Sequence, residues 1–459
     1  MNIDSNLDFK NTITFFYSLI EQKKSAQLSS LKKGIWLYFF LLIFEGALRK
    51  WFLPGLATPL LIVRDPLAVW MLLKAWEKGL FKLNFYILIM WICAGVAFVI
   101  AMLFGHRNLF VAIFGVRILL FHFPLMFVIG KVFSRDDVIK MGKICLYIAI
   151  PMLILIGLQF LSPQAAWVNR GVGGDLSGAG FSGAMGYFRP PGTFSFTNGN
   201  SMFWGLLAPF VIFFWLNSKR INRFVLLMAA TALLVSIPLS ISRSLLFGVL
   251  LSIGFAFFII VRKPEYFKQA LLVIFGLFLL ILVLQYIPVF QKGVEVFTDR
   301  FTSANENEGG VKGVLLDRFL GGMLGAIANS GELPVSGYGI GMGTNVGSML
   351  LTGDRTFLIS EGEWGRLIGE MGIILGMFVI LTRLFFVLKL TIASFAELNR
   401  GNGLPWLLLS FGFIIILQGQ WAQPTALGFS TLIGGLILAS LKHKPKLIRN
   451  RISKRVGKI

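Results

Sequence analysis

The chain is 459 residues long, 56% hydrophobic and only 14% charged, with a mean hydropathy of +0.78, a balance that excludes an ordinary soluble domain. The net charge of +22 does not point to nucleic acid, because the retained loops of polytopic membrane proteins collect Lys and Arg. Cys93 and Cys145 fall in apolar runs and form neither a disulfide framework nor a zinc spacing.

Residues 1–33 are polar and show no cleavable signal pattern, so they are expected to be cytoplasmic, with the first apolar run as an uncleaved signal. Apolar runs long enough to cross a bilayer as helices follow at 34–52, 57–76, 83–104, 109–131, 138–161, 201–217, 222–241, 243–261, 269–289, 364–388, 404–421 and 425–441. Arg64-Asp65-Pro66 interrupts the second, and the break at Ser240–Arg243 is very short. The expected architecture is therefore an all-α polytopic membrane domain over 34–441, with about twelve transmembrane helices. A basic tail, 442–459, follows it. The tail has no interleaved aromatic residue to stack on a nucleic-acid strand and suits anionic lipid headgroups instead.

Every second connection is basic: Lys32 and Lys33, Lys78 and Lys82, Lys131 and Arg135, Lys219 and Arg220, Arg262 and Lys263, Lys389 and Arg400. The excess of Lys and Arg places these connections and both termini in the cytoplasm. The opposite face then carries the 162–200 loop, the Ser242-Arg243 turn and the long 290–363 loop. Loops of this length are usually functional or disordered. Glycines crowd Gly171–Gly183, suggesting a mobile stretch, and the apolar spacing of Val314–Ala328 predicts a short amphipathic helix. No internal repeat is evident.

Charges within spans are costly and turn towards protein or water. Glu45 and Arg49 are four residues apart and can pair on one helical face, and Arg64-Asp65 beside Pro66 can satisfy backbone groups freed at a helix break. Arg117 and His122 lie in the fourth run, where a lone histidine is more often a packed, hydrogen-bonded group than a catalyst. On the outer face, Arg189-Pro190-Pro191-Gly192-Thr193-Phe194 sets an arginine beside a stiff turn, with Thr197, Asn198 and Asn200 at the start of the sixth span. An arginine fork and a helix N-terminus both suit phosphate. In Ser240-Ile241-Ser242-Arg243-Ser244, either a distant carboxylate or an anionic ligand faces Arg243. The close glycines of Gly337–Gly343, Gly339 and Gly341 among them, form either a turn or a backbone cradle for an anion. Glu361 and Glu363 lead into the tenth span as candidate general bases. Arg366 and Glu370 are spaced to pair. Neither large outer loop contains a histidine, and no HExxH or DxD motif argues for a metal site.

In this order, Arg189 to Phe194 with Asn198, the Ser242-Arg243 turn, the Gly-Tyr-Gly-Ile-Gly segment and the acidic approach to Glu370–Gly376 resemble the bacterial O-antigen ligase and polysaccharide polymerase family. The resemblance is best over about 185–390, and Glu45–Trp51 through Arg64-Asp65-Pro66 looks like the exopolysaccharide members. It implies glycosyl transfer, without metal, ATP or other cofactor, at the outer face of a bacterial inner membrane. The donor would be a polyprenyl-diphosphate-linked glycan and the acceptor a glycan or lipid-linked hydroxyl, with inversion expected. Other polysaccharide-export proteins would be neighbours. Arg189 and Arg243 match the arginines that hold the diphosphate; Thr193, Asn198, Ser242, Gly339, Gly341, Arg49 and Arg64 complete the candidate substrate contacts. Ligases of this family typically place a histidine before the tenth or so span, where this chain has Ser360-Glu361-Gly362-Glu363. That departure favours a polymerase over a lipid A core ligase. A polysaccharide transporter or flippase is the reading from another class.

Overall fold

The computed structural model describes residues 28–308, 322–328, 331, 333–354 and 357–442. Residues 1–27 of the expected 1–33 segment, the tail beyond Lys442 and residues 314–321 of the expected 314–328 helix lie outside the described residues.

Each of the twelve apolar runs is helical. α1 covers 28–47 and continues into a π-helical turn, Leu48–Phe52. Then follow α2 (Ala57–Leu61), α3 (Arg64–Glu77), α4 (Phe85–Leu103), α5 (Leu109–Arg117), a π-helical turn Ile118–His122, α6 (Phe123–Val132) and α7 (Arg135–Leu161). A small antiparallel ribbon, β1 (Phe181–Ser182) and β2 (Phe188–Arg189), pairs Phe181 with Arg189. After it come α8 (Thr197–Leu216), α9 (Arg223–Leu239), α10 (Arg243–Arg262), α11 (Phe267–Leu284), α12 (Pro288–Glu308), α13 (Gly322–Ala328) and α14 (Asn345–Thr352). α15 (Glu363–Asn399), broken at Gly372 where the backbone turns to φ 74°, α16 (Leu404–Gln418) and α17 (Pro424–Ser440) complete the described helices.

Among the described residues, eight helical stretches are long and apolar enough to cross a membrane, and α9, α16 and α17 are shorter apolar helices. The molecule is an all-α, multi-pass membrane protein. Helix starts follow local chemistry. Asn84 accepts from the N–H groups of Tyr86 and Ile87, Asn108 from those of Phe110 and Val111, and Ser134 forms a capping box with Asp137. The second run is interrupted, since α2 ends at Leu61 and the helix resumes at Arg64; Pro66 follows that break. It lies in the first turn of α3, where a missing N–H costs little.

α8 and the α5–α6 stretch form the centre, each 78% buried along its most apolar window, whereas α11 is 6% buried and stands at the edge. Small residues let the central helices approach: Gly434 and Gly435 of α17 face Met126 and Ile129 of α6, and Gly130 faces Leu438. The 290–363 stretch is less open than the sequence suggests, since α12, α13 and α14 occupy parts of it. Within the glycine-rich loop, Asn169 donates to the carbonyls of Gln159, Ser162 and Pro163.

Candidate functional site

Gly192 sits at the centre of the turn that carries Arg189. With φ of 62° it adopts a left-handed conformation. Its N–H donates to the Gln159 side chain (2.8 Å), and its carbonyl accepts from Gln159 (3.1 Å) and from the buried Lys50 ammonium (2.7 Å). The Thr193 hydroxyl donates to the Ile43 carbonyl at 2.6 Å. This packing requires Gly46: a Cβ there would lie 2.3 Å from the Ser195 nitrogen. Glu45-Gly46-Ala47 and the Pro190–Ser195 turn are thus one joint, with α1 as its floor.

Arg189 projects from the end of β2, Arg243 from the first turn of α10 and Arg300 from α12. Three contacts assemble those elements. Gly183 of the ribbon lies so near the α9–α10 turn that a Cβ would be 2.7 Å from the Ile241 side chain. The Lys292 ammonium of α12 lies 5.7 Å from the ring centroid of Tyr187, two residues before Arg189. Phe301, next to Arg300, meets Phe247 of α10 edge-on with centroids 6.3 Å apart. The three guanidiniums are therefore electrostatic neighbours. Burial, followed by repulsion from Arg300 and Arg243, pulls Arg189 down to about 10. Its Nε is buried without a hydrogen-bond partner.

Hydroxyls and amides bind the turn at Arg243 to α8. Asn200 donates to Ser240 (3.3 Å) and to the Pro190 carbonyl (3.1 Å), and Ser201 donates to Ser242 (3.0 Å). Ser242 also caps α10 by accepting from the Leu245 N–H at 3.3 Å. Its role here is to hold Arg243 in place. α9 to α12 form an apolar cleft of about 890 Å³, lined by Leu234, Ile237, Leu246, Ile281, Phe290 and Phe297 among others. Leu246 and Phe297 are one turn from Arg243 and Arg300, respectively.

The remaining candidates divide. Arg49 and Arg64 share Glu45, at 3.4 and 3.1 Å, and each has further partners: Arg49 donates to Ser195 (2.9 Å) and Arg64 to the Pro424 carbonyl (2.8 Å). Their charges are used within the protein. The glycine segment does meet an anion, but it is the chain's own: Gly343 N–H donates to the Glu370 carboxylate at 2.8 Å, and Gly339 N–H to the Glu370 carbonyl at 2.9 Å. Gly341, with φ of 94°, lies where a Cβ would be 2.1 Å from the Val111 carbonyl oxygen. Gly339 and Gly341 are a packing joint.

Glu363 is buried and fully committed. It accepts from Arg366 (3.0 Å), Arg383 (2.6 Å) and the Trp421 N–H (3.1 Å), while Arg366 also pairs with Glu370 at 2.5 Å. Glu361 is exposed, beside a small pocket that also includes Asn345, Gln420 and Gln423. Gln423 accepts from Asn198 at 3.4 Å. Hydrogen bonds therefore run from the Glu361 carbonyl through Gln420 and Gln423 to Asn198, two and three residues before Asn200 and Ser201 in α8. Among the described residues no group of His, Cys, Asp and Glu is arranged to hold a metal.

Sequence reasoning missed Arg300 and Arg383. Arg383 was visible as a charge in an apolar run; Arg300 had no signal beyond a mixed polar segment. Arg117 and His122 are confined to the interior, both on Asp65, at 2.7 and 2.8 Å, with Tyr38 completing the chain to His122 at 3.1 Å. No family model matches this chain, and no curated protein matches it.

Proposed function

We propose that the chain is an integral-membrane glycosyltransferase of the O-antigen ligase and polysaccharide polymerase type, with twelve crossings, both termini in the cytoplasm and its site on the outer face of a bacterial inner membrane. The observation that carries this reading is the grouping of Arg189, Arg243 and Arg300, the last two on helices that also line an apolar cleft. The cleft suits a polyprenyl tail, and the guanidiniums suit the diphosphate joined to it.

In the reaction, an acceptor hydroxyl oxygen attacks the anomeric carbon while the bond from that carbon to the phosphate oxygen breaks. The bonding electrons pass to the departing diphosphate, where the arginines meet the charge as it develops. The hydroxyl proton needs a base. Glu363 has no free lone pair directed outward, so Glu361 takes that role. The acceptor lies along the Gln423–Asn198 line. Polymerase fits better than ligase because the outer stretch before α15 carries glutamates in place of a histidine.

Alanine replacement of Arg189, Arg243 or Arg300 in cells should abolish long polymer while the protein still accumulates in the membrane. The lipid-linked pool, run on a gel, should hold single repeat units. Long lipid-linked chains would indicate a ligase. Normal polymer in all three variants would exclude the assigned roles.

A further inference from the structure

At the end of α1 that carries the Arg189 loop, two stretches of chain meet along a second seam. Trp51 and Trp167 stack with centroids 5.3 Å apart and planes 24° from parallel. Six residues on, the Gly173 N–H donates to the Arg49 carbonyl at 3.1 Å, and Gly174 faces Pro54. Arg170 lies between these two contacts. Two donors along the seam are buried without a hydrogen-bond partner, the Trp51 Nε1 and the Arg170 Nε. Orphaned buried donors are rare and call for an explanation.

The seam also holds an arginine with no carboxylate partner, Arg170, beside a buried lysine. Lys50 is 1% exposed; its ammonium meets the Gly192 carbonyl and lies 4.5 Å from the centroid of the Trp51 ring. No carboxylate among the described residues pairs with Lys50 or Arg170. The nearby acids are occupied: Glu45 holds Arg49 and Arg64, and Asp175 accepts from the Ser177 N–H (2.9 Å) and hydroxyl (2.7 Å). Around the seam, apolar side chains face outward, with Phe52 66%, Leu56 50% and Leu161 57% exposed. Stacked indoles above apolar side chains are the chemistry of the headgroup level of a bilayer.

We propose that this seam binds an anionic phospholipid, with its phosphate on Arg170 and the Trp51 N–H and its acyl chains along Phe52, Leu56 and Leu161. The unmatched charge of Arg170 selects a net-negative lipid: a zwitterionic one would bring an ammonium towards that guanidinium. An uncharged saccharide would use the indoles but leave the charge uncompensated. The site touches the Arg189 turn through Lys50 but uses none of the three clustered guanidiniums, and it does not rest on the proposed glycosyl transfer.

The test is native mass spectrometry of the purified full-length chain released from bilayers of mixed phosphatidylglycerol and phosphatidylcholine. Wild type should retain one tightly held phosphatidylglycerol that Arg170→Gln and Trp51→Phe lose, a fall in affinity of roughly tenfold or more. Arg170→Lys should retain part of it. Size-exclusion profiles establish that each variant is folded; if Arg170→Gln is not, Trp51→Phe alone decides. Equal phosphatidylglycerol retention by the folded variants overturns the site. Equal retention of the two lipids by wild type does so too, as does a bound inorganic phosphate or free oligosaccharide in place of the lipid.

Discussion

Two glutamates two positions apart, Glu361 and Glu363, look equivalent in the sequence and differ entirely in their surroundings. Glu363 neutralises Arg383 and shares Arg366 inside the protein, so Glu363→Gln leaves a buried cation short of its counter-charge and should cost about 3–5 kcal/mol. The readout is loss of folded protein from the membrane. Glu361 is exposed, and Glu361→Gln should leave the amount of protein unchanged while turnover falls by about 10²–10⁴-fold. The opposite pattern would exchange their roles. Arg189 gives a different kind of prediction. Burial and two neighbouring cations hold it down at about 10, below its ordinary value, so the folded protein binds its proton less readily than the unfolded chain does. That penalty is present at neutral pH and fades only as pH rises through about 10. Arg189→Gln should therefore unfold at the same or a higher temperature than wild type in detergent without ligand, while losing activity. A marked drop in melting temperature would show that Arg189 is a structural group. Some of these pairings were legible: Glu45 with Arg49 and Arg366 with Glu370 follow from four-residue spacing on a helix. Glu45 with Arg64 and Glu363 with Arg383 were not: the first joins α1 to α3, and the second joins the two halves of α15 across the break at Gly372, so no local period encodes them.

At the level of elements, the apolar runs announced the helices, while the caps at Asn84, Asn108 and Ser134 that fix where three begin emerged only in the structure. Apolar periodicity could not place α12. It is an amphipathic segment that covers α9 and α10, and mixed polarity of that kind reads equally as loop or surface helix. Arg300 was missed with it. The glycines from Gly337 to Gly343 show the same limit in reverse. Their backbone freedom was legible, whereas the reason for it, close approach to α5 and to Glu370, lies in tertiary packing. Gly341→Ala should destabilise by about 2–4 kcal/mol, combining strain at positive φ with a clash against the Val111 carbonyl. Gly248→Ala in α10, where a Cβ meets nothing within 4 Å, should be neutral or slightly stabilising. Thermal unfolding of the two variants side by side checks this; equal melting points would contradict the packing account.

Over the whole molecule, a central set of buried helices carries a less buried edge at α11, and two of the clustered arginines stand on helices that line the apolar cleft. The basic connections and this cluster are expected on opposite sides of the bilayer. Ser177→Cys and Lys219→Cys, both at exposed positions, offer a direct check, since an impermeant maleimide applied to intact cells should label the first and not the second. Cys93 and Cys145 are buried and should contribute little background. The measurement that bears most directly on the central claim is glycosyl transfer by purified protein in detergent, supplied with a polyprenyl-diphosphate oligosaccharide and no metal or nucleotide. Wild type should join repeat units, and Arg189→Ala, Arg243→Ala and Arg300→Ala should each lose about 100-fold or more. Transfer undiminished in all three folded variants, or no transfer by wild type, would contradict the account.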